Sequence, residues 1–388
     1  MPRGRVLMAG IAIVLGSVGA AFTGSPGLLT VCRLVTGVGV GAASAVVPSY
    51  VSEIAPTSIR GRLGTFWQFA IVIGQLLGLL SGYALARWAG SESAPLWWGG
   101  AAWRWMFVVV AVLASGYVVI THLLPRSPAD LLRRGRESQA GALVVKVGGR
   151  GQGVRDHLAA MKESLAGTSK VPSLKVLRGS RFGLKPIVWV GLLLAAFQQL
   201  VGINIVKSYS NTLWQVVGFS TGASFGISIF TVCVSIASTV VAILVMDRVG
   251  RRTLLVAGAA VMVPALGTLT VCFASATPTG AGGGLAIGQG AGIAALIAIN
   301  VFAVGFGVTW GPVMWLMLAE LFDSGTRTIA VALCTAVNWL TNWAVTFTFP
   351  VLAGVGLSFA YGIYTAFAVL ALIFALRVLP ETKVKVLD

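Results

Sequence analysis

Gln68 and Gln75 stand seven residues apart in the otherwise apolar run "TFWQFAIVIGQLLGLL". On an α-helix that spacing returns the second side chain to within about 20° of the first and about 10 Å along the axis, so both line one face. A neutral amide donates and accepts hydrogen bonds without carrying a charge into an apolar environment. Two such groups on one face suit a neutral solute rich in hydroxyls. A second spacing involves charge: "SEIAPTSIRG" sets Glu53 seven residues ahead of Arg60, and "AELFDSGTRT" sets Glu320 seven residues ahead of Arg327. These residues can form ion pairs at helix ends, or stand as separate solvated charges worth at most about 1 kcal/mol each. A third feature is Arg33, alone inside an apolar run, where an unpaired charge costs about 2.5–3.5 kcal/mol on insertion scales and so calls for a partner.

The elements that must position these residues follow from composition. The chain has 388 residues, 57% of them hydrophobic and 10% charged, and a mean hydropathy of +0.90. An ordinary soluble domain carries about 25% charge. Crossing a bilayer takes about 20 mostly apolar residues, and such runs recur at 6–22, 28–48, 64–86, 103–124, 187–213, 223–246, 253–273, 291–318, 328–352 and 357–379. The chain reads as an all-α membrane protein of ten spans, with the lipid bilayer as its solvent.

The net charge of +17 is explained by where it falls. Of the 28 basic residues, 24 lie on one side of the ten-span map, and only Arg87, Arg104 and Lys207 lie towards the other face, with Arg33 inside a span. The positive-inside rule then puts both termini in the cytoplasm, and the basic charge marks topology in a cell membrane, with no nucleic-acid partner. Cys32, Cys233, Cys272 and Cys334 all fall in spans without paired spacing, so neither a disulfide framework nor a zinc site is indicated. No span carries paired carboxylates, a metal-ligand cluster or a nucleophile beside a base, so no enzyme, cofactor or metal is expected. The first apolar run, flanked by Arg3 and Arg5, also has the form of a signal peptide.

One long polar interval, 125–186, divides the chain into segments 1–124 and 187–388 with four and six spans. Both segments carry the same order of features: a Gly-Arg turn ("PRGR" and "DRVGRR"), two spans, then Glu-x6-Arg. This is the pattern of a parallel repeat about an axis along the membrane normal. The second segment has two spans before its turn, so two more spans are expected ahead of Met1.

Several motifs in order resemble the sugar porter family of the major facilitator superfamily. They are "RLVTGVGVGAASAVVPSYVSEIAPTSIRG" (33–61), "QQLVGIN" (198–204), "DRVGRR" (247–252), "WGPVMW" with "AELF", and "PETK" (380–383). The resemblance implies a major facilitator fold with ten of its twelve helices in two pseudo-symmetric bundles. Residues 1–124 are then an incomplete N-terminal bundle (the family's helices 3–6), 125–186 a cytoplasmic inter-bundle segment, and 187–388 the C-terminal six-helix bundle with a short cytoplasmic tail. It implies transport of a monosaccharide or polyol by alternating access, proton-coupled in the complete protein, with a facilitative uniporter, a non-transporting sugar sensor or an inactive truncated transporter as alternatives.

The family pattern adds Gln198, Gln199 and Asn204 as hydroxyl ligands, with Trp315, Asn338 and Trp339 from the tenth and eleventh helices. The plainer reading of such amides is bonding to neighbouring helices, and of Trp an interfacial belt; Asn342, one turn past Asn338, is open to either. Glu53, Arg60, Asp247, Arg251, Arg252, Glu320 and Arg327 are implied to gate the cytoplasmic end, and Arg33 to serve coupling, its family partner being a first-helix Asp. All eleven acids of the chain lie in loops or at helix ends. The sequence departs from the family where "PRSPA" puts Arg126 and Ala129 in place of Glu and Arg, and where the usual Tyr-Tyr pair reads Ser208-Tyr209, preceded by Lys207. The Gly311-Pro312 region is a candidate hinge. An efflux pump for apolar drugs is disfavoured by the Gln-Asn set.

Overall fold

A computed structural model describes residues 3–54, 60–126, 128–148, 174–179, 183–209, 214–215, 220–246, 248–279, 284–322 and 324–382. Among these, nine helices are long and apolar enough to cross a membrane, and a further apolar helix, Val6–Phe22, is shorter. Helices are the expected solution in hydrocarbon, where each backbone N–H and C=O must find its partner within the same segment. The chain divides into two compact units, Met1–Trp67 with Gly74–Val171, and Gln68–Ile73 with Pro172–Asp388.

The helices of the first part of the chain are α1 (Arg3–Phe22), α2 (Pro26–Ile54), α3 (Arg60–Ala89), α4 (Ala102–Leu123), and the short α5 (Pro128–Arg133) and α6 (Glu137–Gly148). Helix α1 packs on both α2 and α4. Its approach to α2 leaves no room for a side chain at Gly16, where a Cβ would lie 2.6 Å from the Cys32 carbonyl oxygen. Without a hydrophobic drive between helices in lipid, such backbone proximity is a main source of packing energy. The turn between α3 and α4 is closed by backbone bonds from Leu96 to Gly100 (2.8 Å) and from Trp103 to Glu92 (3.0 Å).

The second part runs α7 (Pro186–Leu200), α8 (Ile203–Ser208), α9 (Thr221–Val245), α10 (Arg251–Ala274), α11 (Gln289–Gly305), a π-helical turn (Phe306–Trp310), α12 (Gly311–Leu321), α13 (Ser324–Val355) and α14 (Leu357–Arg377). Two features depart from uninterrupted spans. The run expected as one helix over 187–213 is broken after Leu200, and the run 291–318 passes through the π turn. A small antiparallel ribbon, Thr277–Thr279 with Gly284–Ala286, also joins α10 to α11.

The π turn has a visible cause. It rotates Trp310 so that its fully buried indole donates Nε1–H to the Leu255 carbonyl of α10 at 2.9 Å. The same contact seats Thr309 against Gly258, where a Cβ would fall 1.8 Å from the Thr309 Oγ1. The turn leads directly into Gly311-Pro312, the region expected to act as a hinge. Helix α10 thereby packs on α14, α11 and the π turn together.

Gly258→Ala is expected to cost about 1–3 kcal/mol, the usual penalty of overpacking. Thermal unfolding of the detergent-purified protein measures it, and an unchanged midpoint would show that the π turn yields freely.

Candidate solute-binding site

The site begins with the break in the seventh helix. Helix α7 ends at Leu200 because Gly202 takes φ 82°, a left-handed conformation that glycine adopts without steric cost. Glycine is required twice over, since a Cβ at this position would sit 2.9 Å from Cγ of Tyr364 on α14. The chain resumes as α8, and this reversal folds Asn204 back onto the last turn of α7. Its Nδ2 donates to Oε1 of Gln199 at 2.6 Å.

Helix α13 completes the set with Asn338 and Asn342, four residues apart and therefore on one face. Asn338 Nδ2 donates to Gln198 Oε1 at 2.7 Å and to the Ala195 carbonyl at 2.9 Å. Gln199 Nε2 donates to Gln198 Oε1 and Asn338 Oδ1, both at 3.0 Å. Asn204 Nδ2 reaches Asn342 Oδ1 at 2.8 Å, and Thr346 Oγ1 donates to the same oxygen at 3.3 Å. Gln198, Gln199 and Asn338 are all buried.

A donor inventory shows what is left over. Each amide NH2 has two protons to give, and those of Gln199, Asn204 and Asn338 are all committed within the network. The NH2 groups of Gln198 and Asn342 donate to nothing among the described residues. Five neutral amides thus converge from α7, α8 and α13, holding one another in place while two of them keep free donors for a hydroxylated solute.

Other expected site residues fall in different surroundings. Gln75 on α3 is half-buried, with its Oε1 enclosed and without a bond partner among the described residues. Gln68 belongs to the same helix, but its side chain lies outside the described residues. Trp315 is half-buried against the apolar core. Trp339 is 42% exposed, and no bond ties it to the amides among the described residues. Arg33 is exposed, its guanidinium 5.3 Å from the centre of the Phe107 ring on α4. The partner found for it is therefore a cation–π contact, worth about 0.5–1 kcal/mol at an exposed site.

The charges gather at one end of the second unit. Arg251 grips Glu320 through two parallel bonds, Nε–H to Oε2 at 3.2 Å and Nη2–H to Oε1 at 3.1 Å. Thr382 Oγ1 donates to Glu320 at 2.7 Å. The Glu381 carboxylate caps the first turn of α10, accepting from the backbone N–H groups of Arg251 at 2.8 Å and Arg252 at 3.2 Å. Arg252 donates to the carbonyls of Ala375 and Leu376 at the end of α14. Arg327 bonds the Phe322 carbonyl at 3.1 Å. Asp247 and the side chains of Glu53 and Arg60 lie outside the described residues.

Comparison with known proteins identifies this architecture. The family model "Sugar (and other) transporter" matches residues 3–388. The chain belongs to that family. It is 37% identical over 391 residues to the glucose transport protein of Synechocystis sp., covering 100% of this chain and 82% of that relative. It is 34% identical over 363 residues to the D-xylose-proton symporter of Escherichia coli strain K12, covering 92% of this chain and 69% of the relative. A solved structure of the major facilitator superfamily proton:xylose symporter bound to 6-bromo-6-deoxy-D-glucose superposes with a TM-score of 0.82 at 30% identity, over 98% of this chain and 81% of that one. This member of the sugar transporter family is an all-helical, multi-pass membrane protein of the major facilitator fold.

One contributor was left open by the sequence and another was hidden in it. Asn342 joins the amide network through its Oδ1, which accepts from Asn204 and Thr346, and the signal available was its spacing of four from Asn338. Glu381 was visible only as part of "PETK", with no sign in the sequence that its carboxylate reaches back to cap α10.

The network predicts a graded response to truncation. Asn338→Ala removes one bond each from the Ala195 carbonyl, Gln198 Oε1 and Gln199 Nε2, and should destabilise by about 1–3 kcal/mol. Asn342→Ala, at the more open edge, should cost less. Equal thermal midpoints for the two variants would contradict the buried-to-open gradient.

Proposed function

We propose that this protein carries a monosaccharide or related polyol across the cell membrane by alternating access, with both termini in the cytoplasm. The observation that carries the reading is the convergence of five neutral amides with spare donors and no charge among them. Polyhydroxyl solutes need partners that donate and accept at once, and a site of fixed amides rejects analogues lacking the hydroxyls because its own polar groups are then left unpaired. Gln68 and Gln75 supply further amide ligands, and Trp315 and Trp339 the aromatic surfaces, in this reading. The cytoplasmic orientation is supported by the skewed distribution of Lys and Arg.

Glu320 with Arg251, and with them Glu53, Arg60, Asp247, Arg252 and Arg327, form in this proposal a clasp at the cytoplasmic end that favours the outward-open state. Coupling to protons is supported by likeness to a relative named as a proton symporter, with Arg33 in the coupling path. A second reading, facilitated diffusion, is favoured by one specific observation: none of the eleven acids falls mid-span, where symport requires a titratable group.

Reconstituted in proteoliposomes, the protein should take up labelled D-glucose or D-xylose, and Gln199→Ala should abolish most of that uptake. Binding without uptake would identify a sensor instead. An inward-directed proton gradient that drives accumulation above the external level indicates symport, whereas mere equilibration indicates a uniporter. For the clasp, Glu320→Gln should raise cytoplasmic and lower external labelling of engineered cysteines, and unchanged labelling on both faces would refute it.

A further inference from the structure

The site leaves one charge unaccounted for. Helix α8 buries Ile203, Ile205 and Val206 in the core and leaves Asn204, Lys207 and Ser208 on its accessible side. Asn204 and Lys207, three residues apart, share one helical face, so the lysine stem rises one turn beyond the amide network. Lys207 is itself half-buried, and among the described residues no group bonds or pairs with it. The acids of this unit lie elsewhere: Glu320 and Glu381 meet at Arg251, where α9 gives way to α10. Helix α9, 25 residues long, runs from the α8 end to that end, a distance of about 37 Å. Asp247, Asp323 and Asp388 follow helices that terminate at the Arg251 end. Lys207 is therefore an ammonium beside a hydroxyl-binding site, in the half of the unit that has no carboxylate among the described residues. Lys207 stands near the end of the span Pro186–Ser208, and an ionisable group within a span that the fold leaves without a partner is a marker of a substrate path.

We propose that the partner is the solute: Lys207 selects a sugar carrying a carboxylate, of the uronate or aldonate class, with its hydroxyls on the amides and its carboxylate on the Lys207 Nζ. This rests on the reading of the amide network as a sugar site, and narrows it. A carboxylate is favoured over a phosphate because the charge available is single. Every other Lys and Arg of residues 172–388 lies before α7, between α9 and α10 or in the first turn of α10, in the first turn of α13, or at and beyond the end of α14. A dianion at Lys207 would keep one charge uncompensated, and a lone ammonium lacks the forked geometry that phosphate recognition commonly uses.

The test is equilibrium binding of labelled D-glucuronate, D-glucose and D-glucose 6-phosphate to the purified full chain in detergent. D-glucuronate should bind about tenfold or more tighter than D-glucose, the scale of a hydrogen bond to a charged group. Lys207→Met should remove that preference by weakening D-glucuronate alone, and Lys207→Arg should retain it. The preference should also shrink as ionic strength rises, which a packing role for the side chain does not explain. Equal or tighter binding of D-glucose, a preference that survives Lys207→Met, or tighter binding of the phosphate would each overturn the proposal. If D-glucose binds and Asn338→Ala abolishes it while no carboxylate preference exists, only the present inference fails. If no sugar binds at all, the sugar reading fails and this one with it.

Discussion

The amide network depends on a constraint set by the membrane: in a region without water, every polar atom must be paired or costs several kcal/mol. Breaking the seventh helix at Gly202 would ordinarily expose backbone groups. Here the break closes on itself, with Gly202 N–H bonded to the Gln199 carbonyl at 2.9 Å and the Gly202 carbonyl accepting from Ile205 and Val206. Asn338 takes up the Ala195 carbonyl in the preceding turn. The interruption that positions Asn204 is thus made tolerable by backbone bonds local to the break, with Asn338 adding a side-chain bond one turn earlier. Amide-to-amide bonds of this kind are worth only about 0.5–1.5 kcal/mol net. A solute hydroxyl replaces one of them at little cost, so the network can hold its shape when empty and remain exchangeable, with the NH2 groups of Gln198 and Asn342 as its open donors among the described residues.

The rest of the second unit reads as support for that arrangement. Helix α13 carries Asn338 and Asn342 and packs against α7, while α10 is held between α11, α14 and the π turn by contacts too close for larger residues. The aromatic residues belong mostly to this frame: Trp310 is locked to α10, Tyr361 stacks near Phe273 with centroids 5.1 Å apart, and Tyr364 underlies Gly202. The π turn then delivers the chain to Pro312, which lacks an N–H and frees a carbonyl one turn back. Rigid packing on one side of a helix and a missing backbone donor on the next turn is a combination suited to bending at one place.

How much of this was legible in the sequence follows from what each feature rests on. Apolar runs of span length reveal helices directly, because lipid leaves the chain few alternatives. Gln198, Gln199, Asn204 and Asn338 were legible through the order of the family motifs, but their mutual bonding was not, since it depends on how α7 and α13 pack. The break after Leu200 was hidden because Gly is common in membrane helices, and nothing in "LVGIN" distinguishes a left-handed glycine from a packing one. The π turn was hidden for a similar reason: it is imposed by the indole of Trp310 reaching a carbonyl on a different helix. Glu381 lies far in sequence from the α10 terminus it caps, and Arg33's contact with Phe107 crosses between α2 and α4.

The separation of charge from the amides has a physical logic of its own. Neutral amides can occupy the depth of the membrane because they satisfy one another, whereas the Arg251–Glu320 pair sits at a helix end with side chains 11% and 28% exposed. A partly covered pair at a helix end contributes on the order of 1 kcal/mol, and the Glu381 cap adds about as much through the orphan N–H groups of α10. Such modest terms would be poor foundations for a fold but are well sized for a switch. Conformations that interconvert during transport differ by a few kcal/mol, and contacts of this strength can bias the balance without locking it. In the proposed reading, the mutually bonded amides with their two spare NH2 groups and the ion pair at the helix end divide two tasks that one strong buried charge cluster could not combine: recognising a solute, and releasing the helices that enclose it.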